Sequence, residues 1–357
     1  MGAVMANSAP RRTSSVGTLS LPLLGFGCAP IGNLYEPVSD DNAQAALSEA
    51  VRRGIRYFDT APFYGYGLSE TRLGRALNGL PRHELLISTK VGRCIVADAE
   101  TQGNDGFAVV GHRAVFDYSR DGIVRSIEAS LDRLALDHID VLLLHDVGKL
   151  THGERHSEIL RQALDEALPA MAGLKAAGVI DAIGLGVNEQ SVCLEIMPHF
   201  DLDLIMLAGR YTLLEQQASA EVMAESLRRG VKVIVAGPYN SGLLADEKGP
   251  GDTYDYRPVA PSTLDRARSI YEICASEGVD VGAAALQFPL AHPAVVTVLC
   301  GLRSRLEVEI ATRRLMASIP ARVWTKLQAA GLFDTGAVIP RPDTRYRPRA
   351  VGQGLNP

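Results

Sequence analysis

The chain of 357 residues is long enough to bury a large core without metal or disulfides, and its 46% hydrophobic and 22% charged residues are typical of a globular protein. The net charge of −5 disfavours a general nucleic-acid binder. The five cysteines are widely spaced and lack a C-x-x-C pair, which disfavours a disulfide framework or zinc site and predicts reduced thiols.

The sequence gives no sign of a membrane or secreted protein. Arg11, Arg12 and several serines and threonines occupy the first twenty residues, where a secretory signal would need an apolar run. No uncharged stretch reaches about 18 apolar residues, the length that a membrane span requires. We therefore expect a cytoplasmic protein.

Short apolar segments, often β-branched, alternate along the chain with polar turns and segments of helical period. The eight predicted strands are residues 21–27, 55–60, 85–90, 139–145, 183–187, 204–208, 232–236 and 295–300. The predicted helices are residues 41–53, capped by Asp40, then 69–77, 121–134, 160–177, 191–197, 218–229, 262–277, 282–290 and 306–317.

Eight βα units in a chain of this length favour an α/β fold of the closed (β/α)8, or TIM, barrel type. An open doubly wound sheet remains an alternative, because these strands are counted from pattern alone. The first βα turn, Gly25-Phe26-Gly27-Cys28-Ala29-Pro30, lacks the G-x-G-x-x-G sequence that a dinucleotide-binding open sheet would carry there.

We expect one domain flanked by two tails. Residues 1–20 are predicted as an N-terminal tail, residues 21–335 as the barrel, and residues 336–357, rich in proline and arginine, as an extended C-terminal tail. Residues 91–119 form a long insertion after the third predicted strand, and the pattern assigns no role to it.

Four polar residues follow or end three successive predicted strands. These are Asp59 at the end of the second strand, Tyr64 shortly after it, Lys90 at the end of the third strand, and His145 at the end of the fourth. Active sites of such barrels lie at the carboxyl ends of the strands. An ammonium group beside a tyrosine favours its phenolate, a carboxylate holds the ammonium, and a histidine orients a substrate oxygen. The set predicts acid–base chemistry without a metal.

Each of these residues also has an ordinary structural interpretation. An aspartate at a strand end is commonly a helix cap, and a tyrosine in a Gly/Pro loop commonly packs on the surface. His145 follows three leucines and could be a core histidine with its hydrogen bonds satisfied. A buried lysine is rarer, so Lys90 after Leu-Ile-Ser-Thr carries more weight. The occurrence of all four residues at the ends of three neighbouring strands favours the catalytic interpretation.

With these residues in place, the chain resembles the aldo-keto reductase superfamily over residues 21–334. The superfamily's Asp, Tyr, Lys and His match Asp59, Tyr64, Lys90 and His145 one by one. The resemblance is reinforced by Gly-Leu-Ser-Glu at 67–70 and by residues 125–136 leading into Asp-Val-Leu-Leu-Leu-His at 140–145. It implies the same barrel and a nicotinamide cofactor.

Three segments are similar to the branch of D-threo-aldose, L-fucose and pyridoxal dehydrogenases. They are residues 208–214 (AGRYTLL), 251–256 (GDTYDY) and 284–293 (AALQFPLAHP). This resemblance implies oxidation of the anomeric carbon of an aldose, or of a similar cyclic hemiacetal, to a lactone.

The resemblance also implies which residues bind the cofactor. Asn188 matches the residue that holds the nicotinamide carboxamide, the loop after strand seven passes the pyrophosphate, and residues 301–307 match the adenosine-phosphate site. The implied cofactor residues are Gly27, Asn188, Gly237, Pro238, Ser241, Gly242, Leu243, Gly301, Arg303, Arg305 and Glu307. Phe63, next to Tyr64, is a further predicted substrate residue, as are Tyr254 and Tyr256 in the long connection from Pro238 to Pro261, which should lie near the mouth. These tyrosines could instead belong to a surface loop and pack only on helices.

The sequence departs from the common family pattern at several cofactor positions. Ala208 stands where many relatives have Gln, and Ala236 where many stack a tyrosine on the nicotinamide. Glu307 stands where an arginine commonly grips the 2′-phosphate, which favours NAD. Arg303 and Arg305 lie close enough in sequence to serve NADP instead, so both cofactors remain open.

We therefore expect an NAD(P)-dependent oxidoreductase in which Tyr64 takes the proton from the anomeric hydroxyl. A general NADPH-dependent aldehyde or ketone reductase remains an alternative, as does a non-catalytic subunit that senses the cofactor. The expected partner is a small sugar, hemiacetal or carbonyl compound, with neither nucleic acid nor membrane involved. The oligomeric state is not determined by the sequence, and a homo-oligomer is possible.

Overall fold

A computed structural model describes residues 14–17, 19–100, 106–216, 219–246, 248–254 and 257–340. Its strands are β1 (Ser14–Val16), β2 (Leu19–Leu21), β3 (Leu24–Gly27), β4 (Tyr57–Asp59), β5 (Leu86–Val91), β6 (Arg93–Ala97), β7 (His112–Phe116), β8 (Ile139–His145), β9 (Ile180–Val187), β10 (Leu204–Ala208), β11 (Lys232–Ala236), β12 (Thr253–Tyr254), β13 (Arg257–Pro258) and β14 (Val295–Gly301). Its α-helices are α1 (Asp40–Arg52), α2 (Leu68–Leu77), α3 (Arg120–Leu134), α4 (Lys149–His152), α5 (His156–Gln162), α6 (Leu168–Ala176), α7 (Ser191–Ile196), α8 (Ala220–Arg229), α9 (Pro261–Ser276), α10 (Val281–Gln287), α11 (Arg305–Met316) and α12 (Ala321–Ala329).

Eight of the strands close into a parallel barrel. They follow one another around it in chain order, β3, β4, β5, β8, β9, β10, β11 and β14, and β14 pairs back with β3. The (β/α)8 prediction is therefore confirmed, and the open sheet is excluded. Closure brings the carboxyl ends of all eight strands to one mouth.

The strand β8 shows why such uniformly apolar segments form this barrel. All seven of its residues are buried, because helices cover the outside and side chains fill the inside. Leu142 and Leu144 pack into the core under the helices, whereas Val141 and Leu143 pack into the barrel interior. This alternation is the two-residue period of a strand.

A short antiparallel hairpin, β1–β2, precedes the barrel. Val16, Leu19 and Leu21 pack into the same cluster as the barrel interior, so the hairpin covers the amino-terminal end of the barrel. The first predicted strand, 21–27, was therefore too long: Leu21 belongs to β2, and Pro22, which lacks an N–H group, separates β2 from β3.

The helices follow the predicted order with two differences in detail. Helix α1 is capped by Ser39, whose Oγ accepts the Asn42 N–H at 3.2 Å, so the prediction of Asp40 as the cap was wrong by one residue. The predicted helix 160–177 is divided into α5, a wide π turn at Ala163–Ala167, and α6. The wide turn immediately precedes Pro169, which cannot donate an ordinary helical hydrogen bond.

The insertion at 91–119 carries the hairpin β6–β7, which the sequence pattern did not predict. Helix α12 was also missed.

Among the described residues, no helix has the length and apolar character needed to span a membrane. Most of both predicted tails, residues 1–13 and 341–357, lies outside the described part of the chain, so the tail boundaries stay predictions.

Candidate active site

Asp59 and Lys90 form a buried ion pair at the mouth of the barrel. Asp59 ends β4 and Lys90 lies in the neighbouring β5, so the parallel register brings the two side chains together. Lys90 Nζ donates to Asp59 Oδ2 at 2.7 Å and to the Thr60 carbonyl at 2.9 Å. Ser88 donates to the other oxygen, Asp59 Oδ1, at 2.6 Å. The carboxylate is thus fixed on both oxygens.

Tyr64 lies beside this pair. Its ring centroid is 4.5 Å from Lys90 Nζ. The loop that carries it packs so closely that a Cβ at Gly65, where φ is +64°, would meet the Gly32 carbonyl at 2.3 Å. Glycine at position 65 is therefore required for the loop to hold Tyr64 over the lysine.

Lys90 is held in its charged form. Burial alone would lower the pKa of Lys90, but the Asp59 carboxylate and the Tyr64 hydroxyl outweigh burial and raise that pKa above its usual value. A permanent cation therefore lies next to the phenol of Tyr64. Such a charge favours the phenolate, the form of tyrosine that can accept a proton.

His145, by contrast, is held neutral. Burial, together with the positive charges of Arg93 and Lys90, lowers the pKa of His145 well below its usual range. Its ring centroid lies 6.1 Å from that of Tyr64, and its Nε2 lies 3.4 Å from Asp146 Oδ2. Tyr118 donates to the His145 carbonyl at 2.8 Å and fixes the backbone. A neutral imidazole can orient a substrate oxygen without exchanging a proton with it.

The insertion covers the mouth on the side of Tyr64. Phe107 is buried, with its ring centroid 5.9 Å from that of Tyr64 and 5.2 Å from that of Phe63. Arg93, the first residue of β6, lies 4.2 Å above the Phe63 ring and forms an ion pair of 2.5 Å with Asp146. Sequence reasoning missed Phe107, Arg93 and Asp146 as site residues. The available signal was position alone: Arg93 follows Lys90 by three residues, and Asp146 adjoins His145.

The structure brings Asn188 to the same mouth. Its Nδ2 donates to Asp146 Oδ1 at 3.2 Å, which fixes the orientation of the amide. Gly27 and Gly301 are paired at the ends of β3 and β14, and a Cβ at Gly27 would meet the Cys300 carbonyl at 3.1 Å. Glycine at position 27 therefore allows β3 and β14 to approach closely at this end of the barrel.

The loop after β11 contains several residues with left-handed backbone. Gly237, Asn240, Ser241 and Gly242 all have positive φ, and Ser241 and Gly242 are exposed. Within the described residues, the buried Oδ1 of Asn240 has no hydrogen-bond partner. Pro238 and Leu243 are buried and anchor the loop. An exposed turn of left-handed residues can form a concave site for an anionic group such as a pyrophosphate. The buried Asn240 Oδ1 is an acceptor and would need a donor, such as a ribose hydroxyl.

The start of α11 is strongly charged and well capped. Ser304 Oγ caps the helix by accepting the Glu307 N–H at 3.2 Å, and the Glu307 carboxylate accepts the N–H of Arg303, the residue before the cap, at 2.8 Å. Arg303 is also paired with Glu36 and Glu307, and Arg305 with Glu49 and Glu309. Glu307 therefore has a structural role in addition to the predicted cofactor role.

The predicted aromatic substrate residues have different surroundings. Phe63 lies at the mouth, 6.3 Å from His145 between ring centroids. Tyr254 is half-buried, and its hydroxyl donates to Glu215. Tyr256 lies outside the described residues. Ala208 and Ala236, where larger side chains are common in the family, are paired neighbours in β10 and β11.

Comparison with known proteins gives a consistent result. Residues 23–331 match the model of the Aldo/keto reductase family. The chain is 39% identical over 328 residues to pyridoxal 4-dehydrogenase of Microbacterium luteolum, covering 88% of this chain and 95% of that protein. It is also 39% identical over 335 residues to D-threo-aldose 1-dehydrogenase of a Pseudomonas species, covering 92% and 99%. The solved aldo-keto reductase of Bacillus halodurans in its holo form superposes with a TM-score of 0.70, at 27% identity over 92% of this chain and 97% of that chain.

Proposed function

Because the chain belongs to the aldo/keto reductase family and is thus an NAD(P)-dependent oxidoreductase, we propose that it oxidises the anomeric carbon of a cyclic hemiacetal to a lactone. The substrate class is an aldose or a similar hemiacetal, in keeping with the two dehydrogenases that share 39% of their residues with it. One observation carries the proposal: a charged, buried Lys90 lies against the Tyr64 ring and is fixed by Asp59.

In this proposal Tyr64 is the base. As phenolate, it accepts the proton of the anomeric hydroxyl, and that proton passes on to solvent. Lys90 stabilises the phenolate, and Asp59 holds Lys90 in place and balances its charge. A bound nicotinamide cofactor would accept the hydride that leaves the anomeric carbon.

His145 positions the reacting oxygen. Because the pKa of His145 is lowered by burial and by two neighbouring cations, the imidazole is neutral at working pH and does not compete with Tyr64 for the proton. Phe63 and Phe107 supply apolar surface around that oxygen and limit the access of water. Tyr254 and Tyr256 are proposed to line the outer part of the substrate pocket.

The proposed cofactor residues extend from the mouth to α11. Asn188 would hold the carboxamide, residues 237–243 the pyrophosphate, and residues 301–307 the adenosine, with Gly27 and Gly301 at the ends of the adjacent strands β3 and β14. Arg303 is already paired with Glu36 and Glu307, which leaves little uncompensated positive charge for a 2′-phosphate. We therefore propose NAD as the preferred cofactor.

The first experiment is a screen of aldoses and pyridoxal with NAD⁺ and NADP⁺, and of simple aldehydes and ketones with the reduced cofactors, followed by absorbance of the reduced nicotinamide. Lactone formation in clear excess over carbonyl reduction is expected. The reverse ratio would indicate a general carbonyl reductase, and the absence of any turnover would indicate a cofactor-sensing subunit.

The accompanying variant is Tyr64→Phe, which removes only the hydroxyl. We expect turnover to fall by at least the roughly 10²-fold that general acid–base groups contribute. The cofactor dissociation constant, measured by fluorescence titration, should stay near that of the wild type. A Tyr64→Phe enzyme with nearly full turnover would remove Tyr64 from the role of base.

A further inference from the structure

The ion pair of Arg93 and Asp146 lies between the residues proposed for catalysis and those proposed for the cofactor. Asp146 Oδ2 accepts from Arg93 and lies 3.4 Å from His145 Nε2, while Asp146 Oδ1 accepts from Asn188 at 3.2 Å. The mechanism described above assigns no role to either member of the pair.

The pair has features that a purely structural role leaves unexplained. The side chains of Arg93 and Asp146 are only 14% and 6% exposed, and a buried ion pair is weak evidence for stability because both charges lose water. In the described part of the chain, the buried Nε of Arg93 has no hydrogen-bond acceptor. Asp146 also has a left-handed backbone, with φ of +47°. Unsatisfied donors and unusual backbone of this kind collect at binding sites.

The guanidinium of Arg93 is also held in a fixed position. It lies 4.2 Å above the Phe63 ring and 4.9 Å from the Phe116 ring, so two aromatic faces contact it. The only charged side chain paired with it among the described residues is Asp146, which leaves further N–H groups of its planar fork available. The group is therefore preorganised to donate hydrogen bonds.

A carboxylate beside a guanidinium suits a neutral hydroxyl group. A hydroxyl donates one hydrogen bond and accepts others, so Asp146 can accept its hydrogen while Arg93 donates to its oxygen. An anionic substituent fits less well, because the Asp146 carboxylate would repel it and already neutralises Arg93. Asp146 Oδ2 lies 3.4 Å from His145 Nε2, so a hydroxyl bound by the pair would lie next to the oxygen that His145 is proposed to orient.

We propose that Arg93 and Asp146 determine specificity by binding the hydroxyl group on the carbon next to the reacting carbon. The inference rests on the proposed function for the identity of the reacting carbon. It predicts that the enzyme prefers substrates with an oxygen at that carbon over their deoxy counterparts, because a deoxy substrate cannot form the hydrogen bonds that Arg93 and Asp146 would make to the hydroxyl group.

The test compares an aldose that the wild type oxidises with the corresponding 2-deoxy aldose. Hydrogen bonds to charged groups are strong enough that wild-type kcat/KM should favour the 2-hydroxy substrate at least about tenfold. In Arg93→Met that preference should fall to nearly one, because kcat/KM for the 2-hydroxy substrate falls further than kcat/KM for the 2-deoxy substrate. Asp146→Asn should reduce the preference in the same direction.

Arg113→Met is the matched control, since Arg113 lies in the same hairpin and forms an exposed ion pair with Asp98. It should keep the wild-type preference. Melting temperature and cofactor dissociation constant are measured for every variant. If Arg93→Met does not fold, Arg93→Lys, which keeps the charge but not the planar fork, replaces it and should show the same loss of preference.

A wild type that uses both aldoses equally would overturn the inference. So would an Arg93→Met enzyme that loses the same factor on both substrates, because the pair would then be only structural. If the wild type reduces carbonyls but oxidises no hemiacetal, the proposed function fails on its own. In that case glyceraldehyde and 3-hydroxypropanal replace the two aldoses, and the same comparison decides the role of the pair.

Discussion

At the scale of single residues, the chemistry of the mouth depends on which charges face one another. Lys90 is surrounded by Asp59, the Thr60 carbonyl and Tyr64, so its cation is compensated on one side and acts on the phenol on the other. The spacing of these residues along the sequence predicted the set. Their distances come from the register of β4 and β5 and from the close packing of the loop at Gly65.

Replacement of Lys90 by methionine should shift the pH dependence of oxidation. The pKa of Lys90 is raised, so the cation is present throughout the working range, and its loss removes the charge that favours the Tyr64 phenolate. The phenolate then forms only at higher pH, and the rising limb of the kcat/KM profile should move to higher pH.

Asp59→Asn should move the profile in the same direction but less, because the ammonium remains while its partner is weakened. Steady-state rates across the pH range provide the measurement. If Lys90→Met stays active and its pH–rate profile does not shift, Lys90 has only a structural role.

The cofactor preference can be tested at Glu307 and Arg303. We expect the wild type to have a higher kcat/KM for NAD⁺ than for NADP⁺, since Glu36 and Glu307 both compensate Arg303. Glu307→Arg should shift the ratio toward NADP⁺ by adding a cation that a 2′-phosphate can meet. Arg228→Ala, on the exposed face of α8 and outside the proposed cofactor residues, is the control for a general change in surface charge.

The opposite result would identify Arg303 as the phosphate ligand. In that case the wild type would prefer NADP⁺ by about tenfold, equivalent to about 1.4 kcal/mol, and Arg303→Ala would abolish the preference. Glu307 would then serve mainly to cap α11 and would not determine the cofactor preference.

At the scale of elements, the strands could be predicted from the sequence, whereas the inserted hairpin after β5 could not. The strand segments are mostly apolar and were found from their pattern, with β8, β10 and β11 at the predicted bounds. The insertion at 91–119 was not interpretable, because its hairpin is stabilised by distant contacts such as the bridge between Leu34 and Phe107. Pairing between segments far apart in sequence leaves no local period to read.

The loop that carries Tyr64 can be used to test whether close backbone packing positions a catalytic side chain. Gly65→Ala would place a Cβ 2.3 Å from the Gly32 carbonyl, so the loop must move and Tyr64 with it. We expect a marked fall in kcat. Gly79→Ala is the matched control: it has a similar φ of +81° but nothing within 4 Å of the added Cβ.

Gly79→Ala should therefore cost only the backbone strain of a left-handed residue, about 1–2 kcal/mol, and leave kcat unchanged. Melting curves and steady-state kinetics of both variants separate strain from displacement. Equal kcat values in the two variants would show that the approach of Gly65 to Gly32 does not position Tyr64.

At the scale of the whole molecule, stability and chemistry occupy opposite ends of the barrel. The hairpin β1–β2 packs against the interior cluster at the amino-terminal end, and the candidate active site lies at the carboxyl end. Side chains such as Val141, Leu143 and Met206 fill the interior between the two ends. A change at the hairpin should therefore affect folding without affecting the reaction.

Leu21→Ala tests this separation, since Leu21 is fully buried in the hairpin. The variant should lower the free energy of unfolding by about 2–5 kcal/mol, the usual cost of deleting a buried leucine side chain. Its kcat/KM should match that of the wild type at temperatures where it stays folded. A fall in kcat/KM at such a temperature, with the melting temperature unchanged, would contradict the separation.

The sequence by itself determined the α/β alternation and favoured the barrel, because eight βα units in a chain of this length suit a closed sheet. The pairing of β14 with β3 excluded the open sheet. The sequence also determined the grouping of Asp59, Tyr64, Lys90 and His145, because closure brings successive strand ends to the same mouth. Only the tertiary structure decided what surrounds them: Phe107 against Tyr64, and Arg93 paired with Asp146. The physical reason is that these contacts join segments whose partners are fixed by packing across the mouth, whereas periodicity and spacing report only on neighbours along the chain.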